Sequence, residues 1–536
     1  MGDYIILHAL EQVGIAFGLI AFTQKRLLRY LRFLQQEEYD VKRFINWYWS
    51  NKAFDTRGML TIVVAYAGTF FIGNSLIPSF LQIFLLAIIA VSETDPLKEG
   101  KKKLVITTRA GFLLLLSLVM TASIVILLLP AFLLTSPWIQ ILIVQSPPFF
   151  LCMSVILLSP REKAVKAFYR NDAHKKIMSI KPFTIGVTGS FGKTSVKNML
   201  GEILSLTKGP TFWPQAGVNT EMGIAREIRE KLNEKDKYAV IEMGAYHEGS
   251  IELLCNLTPV NAAIVTAVHK VHLERFGSVE QVYKAKSELP QAVPDFGLLV
   301  VNGDSDGARK MATEFKKQQT FIYGLDTEKG HLDCSITDIK VERGGTSFFL
   351  SWQGERFEGF TRLFGTSALS NIAACFTTGA ALGVKPEVLL AVIRDIQPVS
   401  NRLEVKDYGS FIQINDAYNS NPEGFKAALN VLSQLPGERR ILITPGMIEL
   451  GNERDKYNTE VAMIAAKICD IVMVVNEINK VSLEKGLKEG GLPTDKTFYF
   501  KTRDEALDYY NTIRKDGDIL LLENDLPDLH ELSESF

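Results

Sequence analysis

The chain is poor in the residues that staple or ligate. It has five cysteines (Cys152, Cys255, Cys334, Cys375, Cys469), tens of residues apart, with no CxxC and no paired histidine spacing. That excludes a disulfide framework and a zinc cluster, and predicts buried free thiols in a reducing compartment. Net charge is also missing. Fifty-nine Lys and Arg oppose 60 Asp and Glu, so the 536 residues are neither a basic nucleic-acid binder nor an acidic disordered tail. The N-terminal MGDYIILHAL lacks the basic stretch of a cleavable signal peptide. No internal repeat and no low-complexity linker interrupts the sequence.

The most telling absence is local. Residues 58–92 and 110–159 contain no Asp, Glu, Lys or Arg at all. Near-neutral averages, including a mean hydropathy of +0.10, therefore describe two unlike parts: a membrane domain and a soluble one. A spanning helix needs about 20 apolar residues. The 110–159 run accordingly divides at Pro137 into 111–134 and 138–158. The 58–92 run divides near Asn74, Ser75 and Pro78 into 59–74 and 79–92, as two spans or a re-entrant hairpin. Residues 4–22 are the weakest candidate, because Glu11 sits near the helix centre.

Basic residues orient this domain. Lys25, Arg26, Arg29, Arg32, Lys42, Arg43, Lys52 and Arg57 fall in 24–57, and Lys98, Lys101, Lys102, Lys103 and Arg109 in 93–109. Arg161, Lys163, Lys166 and Arg170 follow the last span, and the short turns near 76 and 136 have none. By the positive-inside rule, five spans with the N-terminus outside, or four with an interfacial first helix, put the soluble part in the cytoplasm. Within 24–57, KRLLRYLRFL reads as an amphipathic helix on an anionic leaflet.

The soluble part opens on FTIGVTGSFGKTSVKNMLGEILSL (183–206). An apolar strand runs into a glycine loop and then a helix, the order a phosphate cradle needs. Gly189 and Gly192 let backbone N–H groups face the phosphates, Lys193 meets the β- and γ-phosphates, and the Thr194 hydroxyl reaches Mg²⁺. The spacing departs from G-x-x-x-x-G-K-[ST], since Val187 stands five residues before Gly192. The next strand, YAVIEMG, ends on Glu242, where such folds place a metal-binding carboxylate. His269, His272, Lys284 and Lys286 follow.

These segments resemble the Mur ligase family. TGSFGKTS, GVNTEMG (217–223), VIEMGA, HLERFGS and AKSEL stand in the family's order, and GTSALSNIAA (365–374), NRLEV (401–405), NDAYNSNPEG (415–424) and GMIELG (446–451) continue the match. Within the family, HLERFGS and DAYNSNP resemble the MurF-like branch that adds D-alanyl-D-alanine to the muramoyl-tripeptide. The resemblance implies an ATP-dependent amide ligase working through an acyl phosphate. It implies that Gly189, Ser190, Gly192, Lys193, Thr194 and Ser195 hold the phosphates, with Asn371, Arg402, Asp416 and Tyr418 closing on the adenosine and phosphates. Thr194 and Glu242 would hold one Mg²⁺, and His272 a second, with Lys286 as a carbamate helping to fix it. Asn219 and Thr220 would line the carboxylate substrate. The implied fold is a P-loop α/β central domain (161–397) and a Rossmann-like C-terminal α/β domain (398–536) after a transmembrane domain (1–160) with a cytoplasmic amphipathic loop at 24–57. A polar stretch at 333–364 reads as a small antiparallel flap.

The chain departs from the family at Ala267, Ser367-Ala368, Asn401 before Arg402, Pro445-Gly446 and the acidic LLENDLPD near the end. Only residues 160–182 separate the last span from the loop strand, too few for the uridine-nucleotide-binding domain of branch members. The carboxylate substrate is then expected at the membrane, lipid-linked or polymer-bound, or else the helices merely anchor the enzyme; the acceptor would be an amino acid or dipeptide amine. A capsule-type poly-γ-glutamate synthetase-like ligase, a transport ATPase and a catalytically inactive nucleotide-binding scaffold are the competing readings. Against transport, there is no LSGGQ-like signature.

Overall fold

The computed structural model describes the chain except for residues 1, 38, 73–75, 93–94, 99–102, 132, 216, 246, 269–277, 399–402, 418–419, 449, 451–452 and 525–536. The described residues fall into two units, one helical up to Val165 and one α/β over residues 166–526.

The helical unit comprises α1 (Gly2–Gln36), α2 (Val41–Ser50), α3 (Thr56–Ile72), α4 (Leu76–Ser92), α5 (Thr108–Leu128), α6 (Pro137–Gln145) and the first half of α7 (Pro147–Ile180). Among the described residues, only α5 is both long and apolar enough to cross a bilayer by itself; its 21 residues extend about 31 Å. The expected span at 138–158 falls on two helices that together are long and apolar enough to cross but are bent by 51° at Ser146–Pro147, a broken span or a re-entrant turn, where proline removes a backbone donor and crowds the preceding turn. α3 and α4 are apolar but have 17 residues each, and the break expected at Asn74 and Ser75 lies outside the described residues. Four or five independent spans are thus not what the helix lengths give.

The stretch expected on a leaflet surface is the second half of α1. Its apolar face is covered by protein: Leu27, Tyr30, Leu31 and Leu34 pack with Phe44 and Tyr48 of α2, Leu113 of α5 and Leu151 of α7. Periodicity identified the apolar face correctly but not its partner. The outer surface of the unit is apolar, with Phe71 90%, Val91 82%, Leu127 77% and Trp138 75% exposed.

The α/β unit takes in the second half of α7. Ala173 and Ile177 of α7 enter its core, and only Lys181 and Pro182 precede β1 (Phe183–Thr188). Then follow α8 (Lys193–Thr207), β2 (Thr211–Phe212), α9 (Glu221–Lys231), β3 (Tyr238–Glu242), α10 (Ser250–Leu257), β4 (Ala262–Val265), α11 (Val279–Ala292), β5 (Leu298–Asn302), α12 (Asp306–Glu314) and β6 (Gln319–Gly324). Next come β7 (Cys334–Glu342), β8 (Gly345–Trp352), β9 (Glu355–Thr361), α13 (Thr366–Ala381) and α14 (Pro386–Asp395). The sheet order is β2-β3-β1-β4-β5-β6-β7-β8-β9, parallel through β7. The stretch expected as a separate flap is the antiparallel end of this same sheet, because β7 pairs with β6 before β8 and β9 fold back.

Continuous apolar strands need cover on both faces. One face packs on α8, α13 and α14 through Val196, Leu200, Ile203, Leu369, Ile372, Phe376 and Leu389. The other packs on α7, α9, α10, α11 and α12 through Ile177, Ile224, Ile228, Leu254, Leu289 and Met311. Glu288, from the AKSEL segment, reaches across to cap α10, accepting the N–H groups of Gly249, Ile251 and Glu252. That carboxylate has a helix-capping job.

The C-terminal part holds β10 (Glu404–Asp407), β11 (Phe411–Asp416), α15 (Pro422–Gln434), β12 (Arg439–Thr444), α16 (Arg454–Ile468), β13 (Ile471–Val475), α17 (Lys480–Glu489), β14 (Thr497–Phe500), α18 (Arg503–Ile513) and β15 (Asp518–Glu523). Its sheet order is β10-β11-β15-β12-β13-β14, with only β10 antiparallel. β15 returns to lie between β11 and β12, which makes their C-terminal ends a topological switch point. All five cysteines are buried free thiols, and burial pushes Cys255 and Cys334 up to about 12.

Candidate functional site

β1 is a fully covered strand that delivers the chain into a loop two glycines shape. Gly189 (φ 151°) lies so close to Thr266 and the Ala267 N–H that a Cβ would collide with them. Gly192 (φ 81°) occupies the left-handed region and opens α8; a Cβ there would stand 2.6 Å from Asn371 Oδ1. The loop is therefore a cradle with no side-chain volume at either end.

Its shape is held from β4 and β5. The Thr266 hydroxyl donates to the Phe191 carbonyl, Ser190 N–H donates to Ala267 O at 2.8 Å, and Asn302 Nδ2 donates to Thr266 O at 2.7 Å. Asn302 Nδ2 also lies 3.4 Å from Ser370 Oγ. Sequence reasoning missed Thr266, Asn302 and Ser370, because each is an ordinary polar residue whose role comes from strand order. Lys193 bends back over the loop, with Nζ 2.8 Å from Gly189 O, and Thr194 and Ser195 are half-buried in the first turn of α8.

β3 pairs in register with β1, Val187 opposite Glu242, so the glutamate ends its strand beside the start of the loop. Glu242 is 1% exposed. Asn219 Nδ2 donates to its Oε1 at 3.1 Å, and Lys197 Nζ stands 4.0 Å from its Oε2. Oε2 accepts no hydrogen bond from the described residues. Asn219, expected to line the carboxylate substrate, therefore holds Glu242, and the Asn219 side chain and carbonyl lie against Gly244. Thr220 is the N-cap of α9, its hydroxyl accepting the Gly223 N–H.

Lys286 lies on α11 at 4% exposure. Burial, and after it the nearby Lys193 ammonium, push it down to about 7. Near neutrality its amine is therefore neutral for a substantial fraction of the time. The structure thus brings Gly189, Ser190, Gly192, Lys193, Thr194, Ser195, Asn219, Glu242, Lys286 and Asn371 around one loop. His272, Arg402 and Tyr418 lie outside the described residues.

Asp416 belongs to the second sheet. It ends β11, accepts the Leu403 N–H at 3.0 Å and is the in-register neighbour of Glu523 on β15. Glu523 is 1% exposed and accepts the Ser420 hydroxyl at 2.6 Å. Burial, and then the Asp416 charge, hold its carboxyl well above the usual range.

Chemically, the loop offers a helix N-terminus and the Lys193 ammonium to an anion, with Lys286 nearby, and one buried carboxylate to a cation. Orphaned Glu242 Oε2 beside a glycine cradle fits a divalent ion bound with phosphate. Among the described residues no three His, Cys, Asp or Glu side chains converge on a metal position, so such an ion would take its other ligands from the Thr194 hydroxyl, phosphate and water.

Two family models match this unit: the Mur ligase middle domain over residues 187–379 and the Mur ligase, glutamate ligase domain over 401–523. The UDP-N-acetylmuramoyl-tripeptide–D-alanyl-D-alanine ligase of Escherichia coli is 30% identical over 308 residues, 57% of this chain and 67% of that protein. A crystal structure of MurF from Acinetobacter baumannii superimposes with a TM-score of 0.61 at 25% identity, covering 68% of this chain and 78% of that one. MurF from Thermotoga maritima, solved in complex with ADP, shares the fold with a TM-score of 0.59 at 24% identity over 67% of this chain and 80% of its own. On these matches the chain belongs to the Mur ligase family of ATP-dependent amide ligases.

Proposed function

We propose that this protein is a MurF-like ligase held at a membrane, joining an amino acid or dipeptide amine to a muramoyl-peptide carboxylate in peptidoglycan synthesis. The observation that carries the reading is the convergence of the Gly189–Thr194 loop, Glu242 and Lys286 in a chain whose relatives add D-alanyl-D-alanine. ATP is the phosphoryl donor. The substrate carboxylate attacks its γ-phosphorus, ADP leaves, and the amine nitrogen then attacks the acyl carbon and displaces phosphate.

The chain's own residues position and neutralise. Backbone N–H groups at the start of α8, of Lys193 and Thr194, would meet the phosphates, Gly189 and Gly192 keep the approach open, and the Lys193 ammonium offsets charge on the moving phosphoryl group. Thr194 and Glu242 would hold Mg²⁺, with His272 the expected ligand of a second ion. Mg²⁺ there would supply charge neutralisation between two polyanions. Lys286, expected above as a carbamate, is a buried amine beside Lys193, and nothing else in the chain supports the modification. Asn371 stands against Gly192, and Asp416, Arg402 and Tyr418 are the expected contacts to the nucleotide.

Membrane attachment rests on the apolar outer surface of the helical unit and on α5. The basic segments 24–57, 93–109 and 161–170 favour the cytoplasmic side of the inner or plasma membrane for the ligase. Because α7 leads into β1 with only Lys181 and Pro182 between them, no nucleotide-sugar domain intervenes there, which favours a carboxylate substrate presented at the membrane on a lipid or polymer.

Mass spectrometry of wall polymer and of lipid- and nucleotide-linked precursors after gene deletion tests the function. Loss of the terminal amide-linked residue, with build-up of its lipid-linked acceptor, is expected. Unchanged wall and precursors would overturn the assignment. Reporters fused after Lys103 and at the C-terminus should both read out in the cytoplasm; external signal from either would overturn the topology.

A further inference from the structure

Helix α8 presents two lysines one turn apart, and they meet different fates. Lys193 is half-buried and lies over the glycine loop. Lys197 is completely buried, one of the largest side chains in the chain with no exposure. An ammonium taken fully out of water costs heavily unless an anion faces it. The anion is Glu242, whose Oε2 is 4.0 Å from Lys197 Nζ, while Asn219 binds Oε1 at 3.1 Å.

At 4.0 Å the lysine acts on Oε2 through its charge and spends none of the oxygen's lone pairs. The carboxylate is consequently tied at one oxygen, balanced by a charge at the other, and still open to a further ligand. We propose that Lys197 is a positioning residue: a fixed counter-charge that keeps Glu242 buried and aimed before a divalent ion arrives, and that weakens the ion's hold so it can exchange with each nucleotide. This rests on the nucleotide-site reading above, since it concerns the ion that Glu242 would hold.

The two halves of the proposal have opposite signs, which makes them separable from a purely structural role. Removing the charge should leave Glu242 a stronger metal ligand and a worse-tolerated buried anion. Full-length protein in detergent micelles is titrated with Mn²⁺ in the presence of ADP, and bound metal is read by electron paramagnetic resonance. Lys197→Met should bind Mn²⁺ about tenfold more tightly than wild type, melt at lower temperature without metal, and recover more of that loss when Mn²⁺ and ADP are added. Turnover should show a lower KM for Mg²⁺ together with a lower kcat. Lys197→Arg, which keeps the charge, should bind Mn²⁺ as wild type does. Equal or weaker Mn²⁺ binding by Lys197→Met would overturn the proposal, as would indistinguishable Met and Arg variants.

Should Lys197→Met not fold, the pair is read without metal through Lys197→Gln alone and with Glu242→Gln. The double variant should melt above Lys197→Gln, because it no longer buries an unbalanced carboxylate. A double variant no more stable than the single one would overturn the pairing. Failure of wild-type protein to bind Mn²⁺ with ADP would count against the nucleotide site and leave the melting comparison to judge Lys197.

Discussion

Two glutamates in this chain have the same address and opposite surroundings. Glu242 ends β3 and Glu523 ends β15; each follows an apolar parallel strand, and each is 1% exposed. Glu242 faces the Lys197 ammonium and takes a hydrogen bond from Asn219. Glu523 faces the Asp416 carboxylate and takes a hydrogen bond from Ser420. The first is a carboxyl facing a cationic neighbour with one oxygen left open, and the second is an acid whose surroundings favour its neutral form. An acid after an apolar strand therefore says where a side chain is, while the residue opposite says what it does.

Substitutions can break this contrast. The largest effect belongs to the loop that Glu242 serves: Lys193→Ala should lower the rate of ADP release about 10²–10³-fold, measured by coupled assay, with an unchanged melting temperature. Glu242→Gln should cost at least about a hundredfold in the same assay. Glu523→Gln should leave turnover close to wild type, since an amide keeps the side chain's shape and can still accept the Ser420 hydroxyl. Equal losses at the two glutamates would erase the distinction.

A smaller effect is on pH-dependent stability. Glu523 binds a proton more tightly folded than unfolded, so stability is full below its ordinary value of 4.5 and falls as pH rises toward the raised folded value. Melting temperatures of wild type should decline through that window relative to Glu523→Gln, which should be the flatter and, at neutral pH, the more stable of the two. The smallest expected change is Ser420→Ala, about 1 kcal/mol of stability from one buried hydrogen bond, read by denaturant unfolding, again with no loss of turnover.

Much of the candidate site was legible because phosphate binding demands backbone geometry that only particular residues allow. Gly189 and Gly192 could be placed for that reason, and Lys193, Thr194 and Glu242 followed from the strand–loop–helix order. Lys286 was found by resemblance, and its lowered proton affinity appears only once α11 buries it beside Lys193. Lys197 did leave a signal that went unused: it shares the helix face of Leu200 and Leu204, an apolar face where a lysine must have a buried partner. Thr266 and Asn302 left none, since their bonds to the loop cross from neighbouring strands far away in sequence.

The helical unit was read less well for a related reason. Hydropathy finds apolar faces without saying whether lipid or protein covers them. The face of KRLLRYLRFL meets α2, α5 and α7, while Phe71 and Val91 remain outward. The bend at Ser146–Pro147 depends on a proline whose effect on helix direction is invisible to a hydropathy count.

The central claim is that this chain couples ATP cleavage to amide formation at the Glu242 loop. The direct measurement is ADP release by full-length protein supplied with ATP and Mg²⁺, a muramoyl-tripeptide in nucleotide-linked or lipid-linked form, and D-alanyl-D-alanine, with each substrate omitted in turn. The account predicts sustained ADP release and amide product only when carboxylate and amine are both present, and none in Glu242→Gln. ADP release that is indifferent to both substrates, or undiminished in Glu242→Gln, would contradict it.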